Sequence, residues 1–473
     1  MKRRDFGKIL TTGAFGSSVS YKNNVKAAQN QSLMHVGTQR FGNSVSSLQF
    51  KKRHGVEHHD PGKPDYTPGT GWIVDQLLKW KGISEENGVS LDMLHMQLLS
   101  SGIVNRNGSL NDKYPLPNIM LGKSPERDYE IEDICKMIET AADAGIRGIN
   151  YNLIILPVLY NASTPGRGGS SYRTWDIDKY TGSQTTILGE VTETDVWERI
   201  TYFLERVIPI AEQYKVQMAC HQPDPPTPSG FCGIHRWDSD TFAGLKRFTE
   251  IAESPYHGLN FCVGSISEGL EDPGTEILEI ARYFGEQNKI FNVHFRNIRG
   301  NRNNYMEVYP DEGDIDMYEL MKVFYEVGYP YMLMPDHMPS HSGDTGGYQA
   351  FAGGYMYING LIQAVKDEYV ETAIKSAQAL PENFTIKGNY PNPFNLNTTI
   401  EFMLPSAGHT DLAVYNSTGQ KIRTLVSSSI SAGAHRQNWD GCDDSGATVS
   451  SGVYFSSLKM GNYVTALKMT LIK

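Results

Sequence analysis

The sequence predicts a (β/α)8 TIM barrel followed by a small Ig-like β-sandwich. Two observations predict it. Between Glu126 and Glu368 short apolar strands alternate with amphipathic helices. After Pro381 the composition changes to short alternating stretches separated by Gly and Asn turns. A chain of 473 residues suits one large barrel with one small module.

Met1 to Lys8 is basic, with Arg3 and Arg4 side by side ahead of Phe6 and Lys8, and a weakly apolar stretch runs from Ile9 to Ser20. This resembles a twin-arginine export signal, so residues 1–30 are expected to be an address rather than structure, a Sec signal being the alternative. Residues 31–85 are rich in Gly, Ser, Asn, Lys and Pro and show little periodicity. They read as an irregular arm, with His54, His58 and His59 as solvated loop residues.

The barrel is expected over residues 86–372. A stripe of Ile131, Ile134, Cys135, Ile138 and Ala141 marks a helix over 128–144, and Ile146 to Ile155 reads as a buried strand. Further helices are expected over 192–214, 241–252, 275–287, 316–327 and 352–366. The strands between them fall at 216–221, 259–264, 290–295 and 331–335, with Gly145, Gly258 and Gly328 as stops. An open doubly wound sheet is the alternative, but no Gly-rich dinucleotide fingerprint supports it. A linker is expected over 373–388 and the sandwich over 389–473, with strands at 399–404, 411–415, 421–426, 452–458 and 464–472.

Polar residues recur near the C-terminal ends of successive strands: His221, Cys262, His294 and Asp336. In a barrel those ends converge on the face where active sites form. Two imidazoles, a thiolate and a carboxylate are a divalent-metal set, although any one buried His or Cys taken alone is commonly structural. His337 follows Asp336 directly, and orienting that carboxylate is its other reading. Arg167, in the Gly-rich run Thr164–Gly169, is a candidate for holding an anionic substrate, with an ordinary mobile loop as the alternative. That run lacks the Lys-Ser/Thr ending of a phosphate loop.

Two resemblances follow. Asn389–Asn395 (NYPNPFN), Val414–Asn416, Trp439–Gly441 and Gly452–Phe455 are similar to the C-terminal sorting domain of type IX secretion. That implies the secretion machinery as a partner and a secreted or cell-surface location. Ile119–Gly122, Tyr151–Asn152, His221 with Asp224–Pro226, Cys262–Ser265, His294–Asn297, Glu307–Val308, Gly313–Met317 and Pro335–His337 resemble the mannonate dehydratase family. The family implies a xylose-isomerase-like barrel, a Mn2+ or Fe2+ ion on His221, Cys262, His294 and Asp336, and loss of water from D-mannonate to give 2-dehydro-3-deoxy-D-gluconate. It assigns acid/base work to His337 and to a downstream tyrosine, best matched by Tyr348 with Tyr355 and His341 as rivals. Arg296, Arg167, Asn152 and Asp224 are the expected substrate contacts. The chain departs from the family after His337, where Met338–His341 replaces a Gly-Arg pair. The rivals to this reading are a metal-dependent sugar isomerase or epimerase, against which Cys262 speaks, and a non-catalytic surface binding protein.

A net charge of −10 without a basic face excludes nucleic acid as a partner. No run of eighteen apolar residues exists to span a bilayer. Five widely spaced cysteines do not make a disulfide framework. Oligomeric state is not legible in the sequence.

Overall fold

The computed structural model describes residues 34–99, 102–111, 118–378 and 384–473; the expected export signal lies outside them. The chain divides into two compact units, Met1–Asp367 and Glu368–Lys473. No helix among the described residues is long and apolar enough to cross a membrane.

In the first unit the strands are β1 (His35–Thr38), β2 (His58–His59), β3 (Ser90–Leu91), β4 (Met93–His95), β5 (Gly148–Asn152), β6 (Ala162–Pro165), β7 (Ser171–Asp176), β8 (Gln217–His221), β9 (His257–Cys262), β10 (Ile290–His294), β11 (Asn297–Asn301), β12 (Asn304–Val308) and β13 (Met332–Met334). One sheet runs β3-β2-β1-β13-β10-β9-β8-β5-β4, and its ladders are parallel. Only Asp92 separates β3 from β4. The order therefore returns on itself, and β3 with β4 serves as one strand of an eight-stranded closed barrel.

The helices that cover it form where the sequence supplies caps and an apolar stripe. Helix Glu193–Tyr214 opens with a capping box between Thr192 and Asp195 and buries Val196, Ile200, Phe203, Leu204, Val207, Ile208 and Ala211 at the three- and four-residue spacing of one face. Each large member of that stripe contributes about 1.5–3 kcal/mol by leaving water.

The arm expected over 31–85 is a correction. It holds β1, β2 and the helices Val45–Arg53 and Val74–Glu86, so the barrel begins near residue 35 and not at 86. The strands are too short to show alternation: β2 is two histidines, His58 and His59. His59 is buried between Lys51 and Ser84, at 2.8 and 2.9 Å, and is no solvated loop residue. The last barrel helix also runs further than expected, over Tyr348–Gln378, into the segment read as a linker.

Four strands lie outside the barrel as an antiparallel sheet, β11-β12-β7-β6. They come from the loops after β5 and β10, at the ends where the barrel face opens. Leu159, Trp175, Ile298 and Tyr305 give this sheet a small core of its own. Met306 opposite Thr174 sets its register.

The second unit is an antiparallel sandwich of a three-stranded sheet, β14 (Thr385–Tyr390), β15 (Thr398–Leu404) and β18 (Gly433–Trp439), and a four-stranded sheet, β17 (Lys421–Ile430), β16 (Gly408–Asn416), β19 (Gly452–Met460) and β20 (Tyr463–Leu471). Ile400, Phe402, Leu412, Val414, Trp439, Leu458 and Met469 fill the space within it. Strands β14 and β18 are additional to those expected. In β18 the exposed alternate positions carry Ala434, Arg436 and Asn438, so the run has few apolar residues to mark it as a strand.

Candidate metal and active site

Register builds the site. Parallel neighbours lie about 4.8 Å apart, and Cys262 stands directly opposite His294 in the β9–β10 ladder. His294 stands opposite Met334, two residues before Asp336. His221 ends β8 opposite Asn260. The four donor atoms of His221, Cys262, His294 and Asp336 consequently all fall within 4.8 Å of one another.

Each donor is oriented from behind. His221 Nδ1 donates to the Gln222 carbonyl at 2.6 Å, which leaves Nε2 with its lone pair. His294 has Asn260 Nδ2 3.1 Å from its Nε2, while its buried Nδ1 has no hydrogen-bond partner and lies 3.4 Å from Asp336 Oδ2. Cys262 Sγ accepts from the Ser265 amide at 3.4 Å and from its hydroxyl at 3.2 Å. Asp336 Oδ1 accepts from Gln39 Nε2 at 2.9 Å.

The charges match a cation site. Burial alone would raise the Cys262 thiol, but Arg296, His221 and His294 hold it well below its ordinary value, so the sulfur is a thiolate. Burial likewise opposes ionisation of Asp336, and His337, His294 and Arg296 overcome it. Two anions and two imidazoles, converging on one buried point with an unpartnered nitrogen aimed into it, suit a divalent ion with open positions for a substrate.

His337 lies beside this cluster and lines a cleft of about 270 Å³ together with Arg40, Tyr160, Arg173, Glu307 and Asp336. Its Nδ1 is 3.0 Å from Glu307 Oε2, and its Nε2 is 3.7 Å from Asp336 Oδ2. Glu307 fixes the ring by one nitrogen and leaves the other toward the cluster, the arrangement a proton-transfer group needs.

The remaining expected contacts fall elsewhere. Arg296 is fully buried and is enclosed by carboxylates: Glu268 at 2.6 Å, Asp224 at 2.9 Å, Asp336 at 3.3 Å and Glu307 at 3.8 Å. Its guanidinium is held by these carboxylates, while Asp224 keeps a buried Oδ1 without a hydrogen-bond partner. The pair supports the site from beneath. Arg167 is half-exposed and grips Asp311 through two bonds of 2.7 Å. It does not line the cleft. Tyr348 is largely exposed and stacks on Phe41 with centroids 4.3 Å apart, outside the cleft lining. Of its rivals, Tyr355 is buried against Thr38 at 2.7 Å, and His341 does not line the cleft either. Asn152 ends β5 opposite His221, with a buried Oδ1 that has no hydrogen-bond partner.

Sequence reasoning missed Arg173, Tyr160 and Gln39 and gave Glu307 no role. Arg173 sits on β7, 3.4 Å from Glu307 and 3.0 Å from His337. The strand shows no period-two alternation, since its two buried residues, Tyr172 and Trp175, are three apart; only its run of β-favouring Tyr, Thr and Trp could have suggested it. Asp60, just after β2, fell in the segment read as an arm, and His95, which ends β4, lay outside it and was given no role; the two stand 3.8 Å apart. Burial pushes the Asp60 carboxyl up to about 7, against an opposing hydrogen bond from Gly62.

Comparisons with known proteins bear on the family and the fold. Residues 174–372 match the family described as D-mannonate dehydratase (UxuA), and residues 395–462 match the FlgD Ig-like domain. The mannonate dehydratase of Streptococcus agalactiae serotype V is 32% identical over 280 residues, covering 52% of this chain and 78% of that protein. That of Thermotoga maritima is 29% identical over 364 residues, covering 68% of this chain and 94% of the other. In structure the chain is similar to mannonate dehydratase from Streptococcus suis serotype 2, with a TM-score of 0.59 and 24% identity over 74% of this chain and 95% of that one, which shows the shared fold. The chain belongs to the mannonate dehydratase family and is a sugar-acid dehydratase, a carbon–oxygen lyase.

Proposed function

We propose that this protein removes water from D-mannonate to give 2-dehydro-3-deoxy-D-gluconate, using a Mn2+ or Fe2+ ion held by His221, Cys262, His294 and Asp336. The observation that carries the reading is the four-donor cluster at the strand ends, three of its members buried and His221 half-buried, with His337 beside it. When bound, the ion supplies Lewis acidity toward the carboxylate end of the substrate, where charge develops as the C2 proton leaves. The overall step breaks the C2–H and C3–O bonds, and the proton and hydroxyl depart as water. His337 exchanges a proton through Nε2 while Glu307 holds Nδ1. Arg173, at the cleft mouth, offers its fork to the substrate carboxylate. Burial of Cys262 and His294 keeps water off the donors.

The test is a dehydratase assay of the metal-loaded chain on a panel of aldonates. D-mannonate should be consumed and the 2-keto-3-deoxy acid should appear. His337→Gln should lower kcat by about 10²–10⁴ while the metal content stays the same. Release of an isomeric sugar, or no turnover of any aldonate, overturns the assignment.

We further propose that the protein is exported, with residues 1–30 as its signal and the C-terminal sandwich as a type IX sorting domain. The ordered NYPNPFN, WDG and GVYF motifs and the Ig-like match support this. In a host with that secretion route, the full chain should reach the cell surface and a chain lacking 384–473 should stay in the periplasm. Equal surface display of both overturns it.

A further inference from the structure

The barrel carries a second cluster of metal-type donors at its other end. His35 is the first residue of β1 and His58 the first of β2, and Asp92 lies between β3 and β4. Gly37 pairs with His58, and His58 pairs with Ser90; His35 stands two residues before the first partner and Asp92 two residues after the second, so all three side chains fall on the same face of neighbouring strands. The imidazole rings stack with centroids 3.6 Å apart and 28° between planes. Asp92 Oδ2 lies 2.8 Å from His58 Nδ1 and 3.6 Å from His35 Nε2. One donor atom from each residue falls within 4.8 Å of the other two.

The carboxylate is set for this role. Ser90 donates its hydroxyl to Asp92 Oδ1 at 2.5 Å, and the Asp92 amide donates to the His59 carbonyl at 3.0 Å. Oδ2 is thereby left to the two imidazoles. Burial opposes ionisation, yet hydrogen bonds from His35 and His58 hold the Asp92 carboxyl well below the ordinary carboxylate range.

Four donors about 2.1 Å from a tetrahedral zinc-class ion stand about 3.4 Å from one another. The His35–Asp92 separation is close to that; binding draws His58 and Asp92 apart by about 0.6 Å as the shared proton leaves and turns the two imidazoles out of their stack, so that both ring planes point at the ion. The three side chains are a quarter to a third exposed, and a cleft of about 300 Å³ lined by Glu57, Asn359, Gln363 and Lys366 opens beside His35 and His58. An ion has both an approach and room for a water as its fourth ligand.

We propose that His35, His58 and Asp92 form a second divalent-cation site, of zinc type, that clips the first three strands of the barrel together at the face opposite the catalytic cluster. It contains no thiolate and lies at the end of the barrel where side chains serve stability. The site stands independently of the dehydratase reading.

Cobalt titration of the chelator-stripped full chain tests it. Two equivalents should bind. One should give the sulfur-to-metal charge-transfer band of Cys262, and the other only the ligand-field bands of nitrogen and oxygen donors. A chain carrying His221→Ala and Cys262→Ser should keep the second equivalent and lose the sulfur band. His58→Ala with Asp92→Asn should keep the band and lose one equivalent. Zinc should raise the thermal midpoint of the His221→Ala, Cys262→Ser chain and leave that of a chain with all four substitutions unmoved. Should the lower-end variants fail to fold, the unmodified chain still decides the matter by metal analysis after dialysis. Two ions per chain support the site. One ion, or a second that binds only in large metal excess, overturns it.

Discussion

The two ends of one barrel hold similar donors in different settings. At the C-terminal end, Cys262, His294 and Asp336 are buried and rest on Arg296, which four carboxylates surround. At the N-terminal end, His35, His58 and Asp92 are partly exposed, and the Ser90 hydroxyl donates to Asp92. The difference is one of dielectric. A thiolate and a carboxylate can share a dry site only where a fixed cation compensates them, and Arg296 is that cation. The partly hydrated end needs no such support and suits a structural role. A catalytic site in this fold is thus marked less by its ligands than by the buried charge beneath them.

The sharpest way to break the comparison is to remove what only the upper end has. Cys262→Ser replaces the thiolate by a neutral hydroxyl. A Lewis acid supplies several kcal/mol to the transition state, and each 1.4 kcal/mol is tenfold, so turnover should fall by about 10³-fold or more along with metal content. Full activity in the serine variant would remove the cysteine from the site. Next in size is Arg296→Met. It leaves the Asp224 carboxylate buried without its cation, and breaking a buried pair costs about 3–5 kcal/mol. Denaturant unfolding should show that loss, and the thiolate should become harder to form. An unchanged midpoint would mean that the carboxylates protonate at no cost and that Arg296 is dispensable as a support.

Legibility in the sequence followed the same divide. His221, Cys262 and His294 could be read because each closes a strand of five or six residues, and strand ends converge in a barrel; Asp336 lies two residues past the three-residue β13 and was read from the apolar run before it. His35, His58 and Gln39 could not, because β1 and β2 are four and two residues long and owe their existence to parallel partners far away in the chain. Tertiary pairing overrides local pattern there. Arg296 was legible as important but not as buried, since burial depends on Glu268 and Asp224 arriving from other loops. Arg173 was hidden in an inserted sheet that belongs to no barrel repeat.

A smaller effect comes from His257, which begins β9 at the lower end and is fully buried, with Nε2 2.8 Å from the Phe248 carbonyl. Burial pushes its pKa down to about 4, against the hydrogen bond to Phe248 and with help from Lys289. Between pH 4 and about 6.5 the unfolded chain binds a proton there that the folded chain does not, so stability rises with pH over that window and is lost as pH falls through it. The span corresponds to about 3 kcal/mol at most. Unfolding midpoints of the wild type should drop between pH 6.5 and pH 4.5 more steeply than those of His257→Gln; parallel curves would mean that another group governs acid lability.

The smallest effect separates binding from chemistry at the upper end. Arg173 touches both the cleft and His337, 3.0 Å away, so it can act on the substrate or on the proton-transfer group. A hydrogen bond to a charged group is worth about 1.5 kcal/mol. If the guanidinium holds the substrate carboxylate, Arg173→Gln should raise KM about tenfold with kcat little changed, the signature of lost uniform binding. If it instead tunes His337, kcat should fall and the pH–rate profile should shift, because a guanidinium 3.0 Å from His337 Nδ1 has been removed. The split between kcat and KM therefore decides whether the inserted sheet serves recognition or catalysis.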